Sequence, residues 1–172
     1  MGNGQAIFSA ETLQALREPV LDNARGLPAS VYTSQSFFDL EQASLFPKTW
    51  MGIAFDTDVP KCGDAIPLTV QGLPLILVRD NEGIIRVLQN VCRHRATLVL
   101  DEPCEALTNF KCPYHGWTYD LQGGLIATPF WDGTPGSKSI PVDPCKNSLV
   151  PVRCHVWNHV VFVNLEGTAP DL

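Results

Sequence analysis

Two short segments of this 172-residue chain each place a histidine close behind a cysteine: Cys92-Arg93-His94-Arg95 and Cys112-Pro113-Tyr114-His115-Gly116-Trp117. Two thiolates and two neutral imidazoles suit either a tetrahedral zinc ion or an iron–sulfur cluster with mixed ligands. The order along the chain bears on the choice. A zinc finger groups its cysteines first and its histidines second. Here the order is Cys, His, Cys, His, one of each per segment. That order lets Cys92 and Cys112 bind one iron and His94 and His115 the other, each segment bridging the pair. Exchanging two thiolates for neutral imidazoles removes two negative charges, so such a cluster is reduced more easily than an all-cysteine one. The imidazoles also offer titratable contact points to an electron acceptor. Four residues in one spaced pattern leave little room for a chance set of core cysteines and stray histidines.

These segments need elements that bring them to one place. Seventeen residues separate His94 from Cys112, enough for a strand pair to carry both loops to one tip. From Gly52 onward, short apolar runs alternate with Gly, Pro, Asn and Asp. Strands are expected at 53–55, 65–70, 75–78, 84–88, 107–111, 118–121, 125–127, 150–156 and 160–165. Asp80-Asn81-Glu82-Gly83 and Gln122-Gly123-Gly124 supply turns, and 129–148 reads as a long loop. Ahead of this lie helical patterns at 11–23, cut by Pro19, and at 37–50, with an apolar face of Leu40, Ala43, Leu45 and Phe46 ended by Pro47. The expected fold is mainly β: an antiparallel sandwich or barrel with a small cluster-binding subdomain and an N-terminal helical extension. The expected division is 1–50 for the extension, 51–166 for the metal-binding domain and 167–172 for the start of a linker.

Composition narrows the function classes. Apolar residues make up 45% of the chain and charged ones 17%, so a real core is available and disorder as the main state is excluded. The net charge is −6 with no Lys/Arg-rich run, which argues against a nucleic-acid partner. No apolar run is long enough for a membrane span, and Met1–Ser9 has no signal-peptide pattern, so a cytoplasmic protein is expected. Six cysteines without an export signal fit metal binding better than a disulfide scaffold. Cys62, Cys104, Cys145 and Cys154 share no motif and are expected as free thiols.

Cys-x-His and Cys-x-x-His, with their surroundings Asn90-Val91-Cys92-Arg93-His94-Arg95 and Cys112 to Asp120, resemble the α subunit of Rieske non-haem iron oxygenases, the aromatic ring-hydroxylating dioxygenase type. The similarity extends through Phe46-Pro47-Lys48-Thr49-Trp50, Gly63-Asp64 and Phe162-Val163-Asn164-Leu165, roughly positions 30 to 170. It implies a Rieske-type fold and a Rieske [2Fe–2S] cluster held by Cys92, His94, Cys112 and His115. Tyr114, Gly116, Trp117 and Tyr119 would surround it. Trp117 and Tyr119 would ordinarily be sheet packing, but Tyr119 is also a candidate to hydrogen-bond a ligand sulfur and raise the potential. One departure is Ala96, where the family usually has Gly; alanine there suggests a turn that needs no positive φ. Respiratory Rieske proteins carry a loop-bridging disulfide and a Ser after His-Gly. Thr97, Tyr114 and Trp117 stand here instead, which implies a potential towards the low end of the Rieske range.

The resemblance further implies electron transfer as the N-terminal part of an oxygenase that hydroxylates an aromatic or other small organic substrate with O₂. A ferredoxin or flavin reductase would reduce the cluster. The acceptor would be the catalytic domain of the same or a neighbouring α subunit in a homo-oligomer. Family members hold a mononuclear non-haem Fe(II) in that second domain, with two His and one carboxylate. The remaining histidines, His155 and His159, have no carboxylate at suitable spacing and are expected to be structural. This chain alone would then pass electrons without hydroxylating anything. A stand-alone Rieske ferredoxin is the alternative function, and a zinc-binding interaction module a more distant one.

Overall fold

The computed structural model describes residues 8–17, 25–129, 131–134 and 140–172, in two compact units divided between Leu45 and Phe46. The first unit is helical. Helix α1 spans Ala10–Leu16, capped by Ser9, whose Oγ accepts the Thr12 N–H at 3.1 Å. The remainder of the expected 11–23 pattern, from 18 on, lies outside the described residues. A five-residue helix, α2 (Ala29–Thr33), was not expected; it is too short to show periodicity. Helix α3 covers Gln35–Ser44, starting earlier than 37 because Ser34 caps the Phe37 N–H. It also ends earlier than 50: Pro47 lies in a separate 3₁₀ turn at Phe46–Lys48. A proline has no N–H for a helical ladder.

The second unit is built of antiparallel strands β1 (Met51–Phe55), β2 (Ala65–Val70), β3 (Leu73–Arg79), β4 (Ile85–Gln89), β5 (Phe110–Lys111), β6 (Thr118–Tyr119), β7 (Leu125–Ala127), β8 (Pro151–Trp157) and β9 (Val160–Asn164). One sheet has the order β1-β9-β8-β4-β3-β2, the other β5-β6-β7. The run Leu75-Ile76-Leu77-Val78 explains the layering. Leu75 and Leu77 join Val59, Val87, Val152, Val161 and Val163 in one core; Ile76 and Val78 join Leu88, Phe110, Trp117 and Tyr119 in another. Alternate side chains of β3 thus feed two cores, which is why the strand reads as continuously apolar. Side chains from both edge strands, Ile53 of β1 and Ile66 of β2, border the first core. In a flat sheet those strands would lie about 24 Å apart, so the six strands wrap around that core. The second core holds the small sheet and both cysteine-bearing loops.

The small sheet is shorter than expected: β5 begins at Phe110 rather than 107, and β6 ends at Tyr119 rather than 121. The loop expected over 129–148 contains a short helix, α4 (Pro144–Asn147), which Asp143 caps through the Cys145 N–H. The closing residues are tied to the sheet. Trp50 Nε1 donates to the Pro170 carbonyl at 2.8 Å, and Arg153 Nη2 pairs with Asp171 at 2.6 Å.

Both turns expected from sequence are organised by the aspartate ahead of them. Asp80 Oδ1 accepts the N–H groups of Glu82 and Ile84, each at 2.9 Å, while Oδ2 accepts Arg86 Nε at 2.6 Å. Asp120 Oδ1 likewise accepts from Gln122 and Gly124. Asp80 is fully buried. Burial alone would raise its pKa, but the Arg86 guanidinium and the two backbone donors outweigh it and hold the carboxyl below the ordinary value. Its stabilisation is therefore complete above the unfolded pKa of about 4 and drains away as pH falls through the lower folded value. Asp80→Asn should cost about 2 kcal/mol at neutral pH, and the gap to wild type should narrow in acid. Denaturant midpoints across a pH series measure this.

Candidate metal centre

The two cysteine loops share one skeleton. In the first, Cys92 N–H donates to the Thr97 carbonyl at 2.9 Å and Ala96 N–H to the Cys92 carbonyl at 2.9 Å. In the second, Cys112 N–H donates to the Trp117 carbonyl at 2.8 Å and Gly116 N–H to the Cys112 carbonyl at 3.0 Å. The fourth residue after each cysteine has positive φ, 72° at Gly116 and 56° at Ala96. The expectation that the Ala96 turn needs no positive φ is thus incorrect. The loop closure dictates the left-handed conformation, whatever residue stands there.

Asn90 fastens the first loop from within. Its buried side chain accepts the N–H groups of Val99 and Leu100, each at 2.9 Å, and donates to the Leu100 carbonyl. The second loop is seated through Trp117, which is buried in the core beneath it.

The loops bring all four sequence-predicted ligands together as two pairs. The thiols of Cys92 and Cys112 are buried within interaction distance of each other, and none of the six cysteines forms a disulfide. The rings of His94 and His115 lie 4.6 Å apart at 69°. Among the described residues, each imidazole has its Nδ1 enclosed with no hydrogen-bond partner, while the residue as a whole is only part-buried. Among the described residues, no three His, Cys, Asp or Glu side chains converge to hold a single ion. A thiol pair beside an imidazole pair suits two metal atoms better than one tetrahedral zinc.

The electrostatics agree with that donor set. Burial, then the nearby His115 and Arg95, lower the pKa of His94, so its ring is neutral and free to donate a lone pair. Burial, above all, and the adjacent Cys92 raise the pKa of Cys112. Two thiolates side by side call for a cation to stabilise them. Behind them stands Tyr119, fully buried, its hydroxyl 3.3 Å from Cys92 Sγ and accepting the Arg93 N–H at 3.1 Å. Burial and then Cys92 hold the phenol far above its usual pKa, so it keeps its proton and is the donor to that sulfur whenever the sulfur is a thiolate.

Aromatic rings enclose the imidazoles. Trp117 stacks on His94 at 4.9 Å and 7°, and Tyr114 lies 3.8 Å from His115. Trp131, 6.2 Å from Trp117, extends the wall of a cleft of about 640 Å³ that also takes in Lys111 and Pro129. Trp131 lay in the stretch read as loop, and no sequence signal marked it.

The family description "Rieske [2Fe-2S] domain" matches residues 49–141, more than half of the chain. The chain belongs to the Rieske [2Fe–2S] domain family. Its cofactor is therefore a [2Fe–2S] cluster, and the paired donors fit one. The chain is similar to the α subunit of biphenyl 2,3-dioxygenase from Rhodococcus jostii, 30% identical over 158 residues, which cover 91% of this chain and 33% of that protein. It is equally similar to the carnitine monooxygenase oxygenase subunit of Escherichia coli, 30% identical over 146 residues, 85% of this chain and 38% of that one. Among solved structures, naphthalene 1,2-dioxygenase from Rhodococcus superposes with a TM-score of 0.74 at 28% identity, over 85% of this chain and 33% of that chain. The Rieske domain and its flanks thus span about a third of the length of these relatives.

His155 and His159 lie away from this centre. His155 meets the Trp50 ring edge-on. His159 sits in the two-residue turn between β8 and β9, its Nδ1 3.1 Å from the Asp56 carboxylate. Among the described residues, no helix is long and apolar enough to cross a membrane.

The Tyr119 contact makes a prediction. A donor to a ligand sulfur stabilises the reduced, more negative state of a cluster. Tyr119→Phe should lower the reduction potential while iron and sulfide content stay unchanged, as read by potentiometric titration.

Proposed function

We propose that Cys92 and Cys112 bind one iron and His94 and His115 the other, and that the chain is the electron-transfer part of a Rieske oxygenase α subunit. The observation that carries this reading is the pair of enclosed, partnerless Nδ1 atoms beside a buried thiol pair. The bound cluster supplies one-electron redox chemistry. The protein's own groups do the rest. Asn90 keeps the first loop shut, Trp117 shields one face of His94, and Tyr119 holds a proton against the Cys92 sulfur.

The oxygenase reading is preferred to a stand-alone ferredoxin because the similarity to oxygenase subunits spans up to 96% of the chain, far past the loops. The whole protein would hydroxylate an aromatic or other small organic substrate with O₂, the mononuclear iron lying in a catalytic domain outside this sequence. A ferredoxin or flavin reductase is the proposed donor. The proposed acceptor is the catalytic domain of the same or a neighbouring subunit. For one relative, a quaternary ammonium Rieske monooxygenase, the structure is described in terms of inter-subunit electron transfer.

The surface around the imidazoles suits such partners. Arg93, Arg95 and Lys111 are exposed and make no ion pair among the described residues, while Tyr114 and Trp131 are 58% and 49% exposed. A cationic rim around an apolar centre favours a partner bearing carboxylates. In stopped-flow mixing with an acidic reduced ferredoxin, the oxidised chain should take up one electron per cluster. Arg93→Glu with Arg95→Glu should slow that reaction about tenfold at low salt, with the difference shrinking as salt rises. Failure to take up the electron would refute the function. A rate indifferent to both charge and salt would place docking elsewhere.

A further inference from the structure

The two ligand loops have the same hydrogen-bonded skeleton but different residues at the strained position. Gly116 meets φ 72° without steric cost, whereas Ala96 holds φ 56° with a Cβ. We propose that Ala96 is a positioning residue whose strained left-handed turn makes the His94 loop the labile half of the metal site, the half that opens first when the cluster is lost. This rests on the assignment of His94 and His115 as ligands on opposite loops.

The strain is met chiefly by backbone hydrogen bonds. Ala96 is exposed and lies outside both buried cores, so its methyl group gains little from burial. The turn is held by Ala96 N–H to the Cys92 carbonyl, Cys92 N–H to the Thr97 carbonyl, Arg93 N–H to the Tyr119 hydroxyl and, further along, the Asn90 clamp. The second loop has the same pair of backbone bonds, an unstrained glycine, and Trp117 anchored in the core. In the loaded protein, a ligand bond from His94 would hold the first turn closed against its own backbone preference. The second turn would close without that help.

The chain contains an internal control. Ala106 also has positive φ, 52°, but lies in the segment packed on Gly63 and Asp64, outside both loops. Relieving strain at Ala106 should steady the fold in general; relieving it at Ala96 should steady the metal site in particular.

The test uses the cluster-loaded full chain. Cluster loss to an iron chelator is followed by visible absorbance, and hydrogen exchange is followed by mass spectrometry on peptides covering 92–97 and 112–117. In the wild type, the first peptide should exchange faster than the second. Ala96→Gly should slow cluster loss about two- to fivefold and bring the two peptides' exchange closer together; the relief of the left-handed alanine exceeds the entropy that glycine adds to the open loop by that much. Ala106→Gly should change cluster loss by less than about twofold. Gly116→Ala should accelerate it, since the added Cβ would also sit 3.0 Å from Pro129 Cγ. If Ala96→Gly leaves the rate unchanged, or Ala106→Gly slows it equally, the proposal is overturned. The ligand assignment fails separately, if His94→Ala keeps a full cluster; the exchange comparison of the two turns does not depend on it.

Discussion

Cys112→Ser, and equally Cys92→Ser, should yield a colourless chain with neither iron nor acid-labile sulfide. The two thiols form a buried pair in the second core, 2% exposed each. Cys112 has its pKa raised by burial and by its neighbour, so two thiolates persist there only with a cation between them. A serine hydroxyl is a harder donor that ionises far less readily, and on the proposed ligation one remaining thiolate would not hold its iron. The other four cysteines supply the comparison. Cys62 and Cys145 are exposed; Cys104 and Cys154 are half-buried, with their thiols directed to the Glu102 and Ile85 carbonyls. Serine at any of those four should leave the protein red-brown, with two irons and two sulfides of a [2Fe–2S] cluster. His155→Ala and His159→Ala should do the same. Metal and sulfide analysis with visible absorbance reads all of these. Stoichiometric zinc without sulfide in the wild type would overturn the assignment.

The parts of the site that were legible in the sequence were those whose chemistry is carried by residue type and spacing. Cys92, His94, Cys112 and His115 stand out because few other tasks need that pattern, and the fold brings them together as two pairs. The strands at 65–70 and 125–127 agree residue for residue with their short apolar runs and flanking turns. Less legible were features set by the rest of the fold. Ala96 looks like an ordinary alanine, because φ is not written in its side chain but imposed by the bonds from Ala96 N–H to the Cys92 carbonyl and from Cys92 N–H to the Thr97 carbonyl. In the sequence, Asn90 is marked only as part of the stretch around Cys92 that resembles the oxygenase family. That its amide closes the loop follows from where Val99 and Leu100 return in space. Trp131, in a Pro- and Gly-rich stretch, had no periodicity to mark it as part of the cleft wall.

Gly63 is the position at which the least change in side chain should do the most harm. It lies far from Cys92 in sequence, yet Gly63→Ala should strip the protein of most of its stability and its cluster. Gly63 has φ 87°, and an added Cβ would lie 2.6 Å from the Leu107 carbonyl oxygen, 2.7 Å from the Leu107 nitrogen and 2.9 Å from the Ala106 carbonyl carbon. All three are backbone atoms, so no side chain can swing aside. Nor can the glycine retreat: its N–H donates to the Arg79 carbonyl at 2.8 Å, and its carbonyl accepts the Leu107 N–H at 2.9 Å. Beside it, Ala65 and Cys104 exchange a pair of backbone bonds, and Asp64 Oδ2 accepts the Lys61 N–H. This strip is where the 104–107 segment docks on the large sheet, and that segment connects the first ligand loop to β5 and the second. Left-handed strain of about 1–2 kcal/mol, plus two backbone bonds at about 1 kcal/mol each, plus the clash itself, brings the loss to about 4 kcal/mol or more. That is a large share of a typical domain's stability of about 5–15 kcal/mol. Gly72→Ala separates the contributions. Gly72 also has positive φ, 75°, but an added Cβ would meet nothing within 4 Å. It should lose only about 1 kcal/mol and keep its colour. Denaturant midpoints and cluster content for the two variants decide the matter: equal, mild losses would mean that the 104–107 segment does not rest on Gly63, and that the two ligand loops are held together by the second core alone.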